Sequence, residues 1–276
     1  MINRKFLSVI LVVLLGCIAL TTAVAQTALS WSAEEQRRFN GLPEVSVGTD
    51  ATWPPMEYFN REGELVGFDI DLLREIGLRA GFRPVFESVP WDGIFIGLIN
   101  RRYEMIASSV TILEERKRAM LFSDPYLEAA QYVVVRLEEQ SVEVLEDLRG
   151  REIGAQIGTT GARIAGDAGA VVRTYDDLGL GIEDLVQGRL DAVVADVAII
   201  EYYVLAHPQY GDRLRILDHP YVVELYGFAI HRDRQDLQSS INEALRSVRE
   251  EGELQRIKSF WFRHVTPGTP DGTDTP

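Results

Sequence analysis

From Val45 onward the chain alternates short apolar runs with amphipathic stretches. Val45-Ser46-Val47 reads as a strand ending at Gly48-Thr49-Asp50. Ile70, Leu73, Ile76 and Ala80 recur at helical spacing, which predicts a helix over Asp69 to Ala80, stopped by Gly81. Pro84 to Ser88 is the next strand, and Asp92 is placed to cap a helix carrying Ile94, Phe95, Leu98 and Ile99. Met105 to Ser108 is again a strand. Strands alternating with helices predict an open, mostly parallel sheet.

The pattern then restarts. Tyr132-Val133-Val134-Val135 is a β-branched run long enough to pass between domains. Strands follow at Ile153 to Gln156, Val171 to Tyr175 and Asp191 to Ala195, with helices around Ile182 to Leu185 and over Val197 to Leu205. A second apolar β stretch runs from Tyr221 to Ile230. Leu237, Ile241, Ala244, Leu245 and Val248 mark a long amphipathic helix from Gln235, broken at Gly252 before Leu254 to Phe262. Two α/β halves with two extended crossings, near residues 131–136 and 222–228, imply a discontinuous first lobe. No repeat of fixed period is visible.

The two ends differ from this pattern. Arg4 and Lys5 precede an apolar run from Phe6 to Leu20, and Ala23-Val24-Ala25 leads to Gln26. That order fits an export signal at residues 1–25, cut after Ala25, and the run is short for a membrane span. Leu14-Leu15-Gly16-Cys17 loosely resembles a lipoprotein box, but the apolar run continues past it. Cutting after Ala25 removes the only cysteine, leaving no disulfide or thiol chemistry. Residues 26–42 read as a polar lead-in, and residues 265–276 as a disordered tail rich in Gly, Pro, Thr and Asp.

Of the 276 residues 46% are hydrophobic and 25% charged, enough for a true core. The net charge of −14 becomes −16 once Arg4 and Lys5 are lost, which argues against general binding of nucleic acid or anionic membrane. The histidines His207, His219, His231 and His264 show no metal-pair spacing, so neither metal nor cofactor is expected.

Four polar residues, Asp50, Ser108, Gln156 and Asp196, fall at or just past the C-terminal ends of expected parallel strands, two in each half. Ligands of open α/β sheets bind outside those ends, so one cleft between the halves is the candidate site. Asp196 could equally cap the helix that follows it, and Asp50 could close a turn. Arg116 sits in Glu114-Glu115-Arg116-Lys117-Arg118, a run that would also suit a solvated helix face. Its guanidinium could instead fork onto a carboxylate. Gly158-Thr159-Thr160 lacks the lysine of a phosphate loop, but places N–H groups where a helix start would face an anion. Trp53 in Trp53-Pro54-Pro55 lies in an expected loop, where a large apolar side chain needs a reason; Trp91 follows Pro90.

Three segments carry a resemblance. Ser108-Ser109-Val110-Thr111-Ile112-Leu113-Glu114-Glu115-Arg116, Gly154-Ala155-Gln156-Ile157-Gly158-Thr159-Thr160 and Asp191-Ala192-Val193-Val194-Ala195-Asp196 together resemble the ligand signature of bacterial extracytoplasmic binding proteins for polar amino acids. These are the two-lobed receptors of ABC importers, and the likeness spans roughly residues 43–264. It implies an α/β Venus-flytrap fold, with open mixed sheets flanked by helices. Lobe 1 would comprise 43–132 and 225–264, and lobe 2 would comprise 133–224. By resemblance Arg116 clamps a ligand carboxylate, Asp196 binds its ammonium, and the Thr160 hydroxyl with nearby N–H groups adds to the carboxylate site. Trp53 and Trp91 would sandwich the side chain. Asp50, Ser108, Ser109, Thr111 and Gln156 complete the expected set. Leu113-Glu114 replaces the common Thr-Pro pair, so Thr111 and Glu114 could form a capping box instead. The implied partners are a free polar or cationic amino acid and an inner-membrane ABC permease, for a monomer in the periplasm. Dehydratases and kinase-linked sensors of the same fold are the alternatives, though retention of both Arg116 and Asp196 speaks against the dehydratases.

Overall fold

The computed structural model describes residues 37–218 and 220–262. The export signal with Cys17, most of the lead-in, His219, His264 and the tail lie outside the described residues.

Two sheets organise the molecule. In the first, β1 (Glu44–Thr49) lies between β5 (Arg83–Ser88) and β6 (Met105–Ile106), parallel to both. Beyond β6 come β14 (Ala229–Ile230) and β7 (Leu121–Phe122), with β14 antiparallel to both neighbours. The helix Phe68–Ala80 covers this sheet and buries Ile70, Leu72, Leu73 and Ile76. Each such side chain stabilises the fold by roughly 1.5–3 kcal/mol relative to exposure. Gly81 ends the helix at φ 79°, a left-handed position that lets its N–H reach the Gly77 carbonyl. The helix Gln235–Glu250 returns to the same layer and buries Leu237, Ile241, Leu245 and Val248 there.

The second sheet has the order β10 (Val171–Tyr175), β9 (Glu152–Gln156), β11 (Ala192–Asp196), β8 (Leu127–Arg136) and β12 (Leu214–Ile216). Its first three strands are parallel, while β8 runs antiparallel to β11 and β12. The helices Thr160–Asp167, Leu178–Val186 and Val197–Ala206 pack against it.

The chain leaves the first sheet after Phe122, enters β8 at Leu127, and returns through β13 (Val222–Tyr226). These crossings pair with each other, antiparallel, in a ladder from Val222↔Gln131 to Tyr226↔Leu127. Three short strands were not apparent from the hydropathy pattern: β2 (Thr52–Trp53), β3 (Glu57–Phe59) and β4 (Leu65–Val66) form a small antiparallel sheet of their own. The expectation that Asp92 caps a helix is corrected. The helix Trp91–Ile99 starts after Pro90, and Asp92 lies inside its first turn, where its charge favours the positive helix end.

Candidate functional site

The C-terminal ends of β1, β6, β9 and β11 converge on one narrow cleft between the sheets. Its lining contains all ten residues singled out from the sequence: Asp50, Trp53, Trp91, Ser108, Ser109, Thr111, Arg116, Gln156, Thr160 and Asp196. Two more join them, Glu57 and Thr159. The halves meet directly here, because the Gln156 amide donates to Asp50 Oδ2 at 2.7 Å.

One network gathers carboxylates from the first half. Ser108 Oγ accepts the Asp50 N–H at 2.9 Å and donates to Glu57 Oε1 at 3.0 Å. Ser109 Oγ donates to Glu57 Oε2 at 3.3 Å, and the Ser109 N–H donates to Asp69 Oδ2 at 2.7 Å. Ser109 holds φ at +48°, a left-handed backbone that serine adopts only when its surroundings demand it. Glu57 and Asp69 are 1% and 0% exposed, with no cation in an ion pair to either among the described residues. Burial pushes the Glu57 carboxyl well above its usual range, with the Asp69 charge adding to it. Burial also raises Asp69 to about 7, against donors from Tyr126 and Ser109. Asp50 rises to about 6 through burial, opposed by the Gln156 and Thr52 donors.

A second network joins the halves at the crossings. Gln131 Nε2 donates to Asp196 Oδ1 at 2.8 Å and to Glu224 Oε2 at 3.0 Å. Thr160 and Thr111 donate their hydroxyl protons to that same Glu224 oxygen, at 2.8 and 3.3 Å. Asp196 stands at the N-cap position of Val197–Ala206, yet its side chain makes no capping bond. Its carboxylate faces the cleft instead. Burial pushes it up to about 7, the Tyr226 hydroxyl opposes that, and the Glu224 charge adds to it.

Arg116 belongs to the short helix Glu114–Lys117, whose N-cap is Leu113, so the Thr111–Glu114 capping box does not form. The Arg116 guanidinium folds inward, donating to the Thr111 carbonyl at 3.0 Å and lying 4.6 Å over Phe95 and 5.6 Å over Trp91. Burial depresses its pKa, and Glu224 and Glu115 oppose that. No carboxylate of the described residues forms an ion pair with it. Trp91 Nε1 is likewise buried without a partner among the described residues. Trp53, expected on a loop, lies on a two-residue strand and belongs to the core as well as the cleft wall. Among the described residues no cluster of His, Cys, Asp and Glu is arranged to hold a metal ion.

Glu57 escaped the sequence reading because it lies in the unexpected small sheet. The one available signal was an acid flanked by apolar residues in Met56-Glu57-Tyr58-Phe59.

The sequence profile of the bacterial extracellular solute-binding proteins, family 3, matches residues 45–264. A probable histidine-binding protein of Neisseria gonorrhoeae is 33% identical over 222 residues, covering 78% of this chain and 82% of its own. The ABC transporter arginine-binding protein 1 of Escherichia coli K12 is 30% identical over 221 residues, covering 79% and 90%. Among solved structures, an arginine-, lysine-, histidine-binding protein from Geobacillus stearothermophilus superposes with a TM-score of 0.74 at 34% identity, covering 80% of this chain and 95% of its own.

Proposed function

The chain belongs to the bacterial extracellular solute-binding proteins, family 3, and from that membership we propose that its cleft captures a free amino acid with a cationic side chain for an ABC importer. The observation that carries the charge of the ligand is the pair Asp50 and Glu57, buried in the cleft wall with Asp69 behind them and no cation in an ion pair to any of the three among the described residues. Buried carboxylates without a cationic partner are costly, and a guanidinium or ammonium from the ligand removes that cost. Trp53 and Trp91 wall the cleft, where aromatic faces favour a cation.

In this reading Arg116 receives the α-carboxylate and Asp196 the α-ammonium. Arg116 comes from the first half and Asp196 from the second, so a ligand holding both favours the closed form through contacts the open form lacks. The relatives named for arginine, lysine and histidine support L-arginine as the first candidate. We further infer that residues 43–132 with 225–264 and residues 133–224 act as the two lobes. The mature monomer would start at Gln26 in the periplasm and deliver to an inner-membrane permease.

A thermal-shift screen of the proteinogenic amino acids, followed by calorimetry, tests the ligand class. At about a thousand times Kd a ligand adds about 4 kcal/mol of stability. L-Arginine and its cationic analogues are expected to give the largest shifts. Stabilisation by glutamine or asparagine alone would overturn the assignment of Asp50 and Glu57.

A further inference from the structure

Glu224 does not line the cleft, yet three groups around the cleft converge on one of its oxygens. It sits on the returning crossing β13, is 6% exposed, and forms no ion pair among the described residues. Gln131, fully buried on the paired crossing β8, is its diagonal neighbour in the ladder. Gly161 is what admits the Gln131 amide beneath the helix Thr160–Asp167. A Cβ there would stand 2.9 Å from Gln131 Oε1 and 3.0 Å from the Val194 carbonyl.

The chemistry follows from proton counting. A threonine hydroxyl has one proton and two lone pairs. Thr111 and Thr160 both spend that proton on Glu224, so toward the cleft each can only accept, and the Thr160 hydroxyl, expected from the resemblance at the ligand carboxylate, has no proton to give one. Gln131 Nε2 carries two N–H groups and turns them on Asp196 at 2.8 Å, Glu224 at 3.0 Å and the Thr160 hydroxyl oxygen at 3.2 Å, which fixes the Asp196 carboxylate against the same anchor. Acceptors are what an ammonium group requires and what a carboxylate is repelled by.

We propose that Glu224 is a positioning residue for ligand capture, turning the Thr111 and Thr160 hydroxyls into acceptors and, through Gln131, aiming Asp196 at the ligand ammonium. It works from the crossing between the halves, so the ammonium site is assembled on the hinge itself. The ligand part of this inference rests on the amino-acid reading above; the effect on Asp196 does not.

The variant is Glu224→Gln, which preserves size. The first measurement uses ligand-free protein. A ¹³C carboxyl titration follows Asp196, whose charged and titratable neighbours are Glu224, the Tyr226 hydroxyl and Arg116. Loss of the Glu224 charge is expected to move the Asp196 midpoint to lower pH. An unmoved midpoint in a folded variant overturns the proposal whatever the ligand is. The second measurement compares L-arginine with 5-guanidinopentanoate, which lacks the ammonium. L-Arginine is expected to weaken at least tenfold and the analogue less than threefold. Equal losses for both would make Glu224 merely structural. If the parent protein ignores L-arginine, the ligand assignment fails while the titration still decides the role of Glu224.

Discussion

Replacing Arg116 by Ala removes the only cation lining the cleft among the described residues, and the structure sets the scale of the loss. The guanidinium is held by a single backbone carbonyl and two aromatic faces, Phe95 and Trp91, with its remaining N–H groups uncommitted to any carboxylate among the described residues. A ligand carboxylate would complete a largely buried ion pair. Breaking such a pair by deleting one partner costs about 3–5 kcal/mol. Arg116 keeps partial exposure, so the lower end applies. About 3 kcal/mol corresponds to an affinity loss of about 150-fold. The same substitution also strips two cation–π contacts, each worth about 0.5–1 kcal/mol at a partly exposed site. Ligand-free Arg116→Ala should therefore melt slightly lower, while Arg116→Lys retains the charge but not the fork. Calorimetry with L-arginine measures the first effect and thermal denaturation the second. Binding within threefold of the parent would refute the carboxylate clamp, because no other cation lines the cleft among the described residues.

Asp196→Asn is expected to leave the melting temperature nearly unchanged at about pH 4, where the aspartate is protonated and makes no capping bond, while calorimetry at about pH 8 shows at least a tenfold weaker affinity. Glu57→Gln should shift the ratio of arginine to glutamine affinity by at least tenfold toward glutamine in competition binding, because it turns a buried carboxylate into an amide. The pH dependence has two signs. Asp196, raised to about 7, and Asp50, raised to about 6, hold protons more tightly folded than unfolded, so their stability contribution is full below about pH 4 and lost as pH rises through 6–7. The ligand-free protein should accordingly melt lower at about pH 8 than at about pH 5, less so in Asp196→Asn. Arginine affinity should rise over the same interval with proton release, seen as unequal binding heats in phosphate and Tris; equal heats would contradict it.

Much of this site is written in local chain pattern. Asp50, Gln156 and Asp196 end runs of apolar alternation, and topology alone then brings strand ends together. What escaped notice sits where the pattern is silent. Glu57 belongs to a small sheet of two- and three-residue strands, too short for a period to register, and the same sheet carries Trp53, whose place in the cleft the sequence indicated but whose strand it did not. Gln131 and Glu224 interrupt apolar stretches in which a polar residue reads as an outward-facing position. Only the register of the crossings turns both into the interior, beside Thr160 and Asp196. Asp92 was misplaced for a simpler reason. Proline at 90 already has a φ of −57° suited to entering a helix, so the boundary moved two residues upstream of the acid.

The paired crossings have a mechanical meaning. Two separate strings could slide past one another, but β8 and β13 share a five-step register and behave as one ribbon, free to bend or twist and not to shear. A slip of a single residue would invert the faces of β13. Val223 and Leu225, now in solvent, would swing into the interior, and Glu224 and Tyr226 would be thrown out. Should the halves open, the ribbon would act as a leaf spring with a built-in stop, returning them to the same relative alignment.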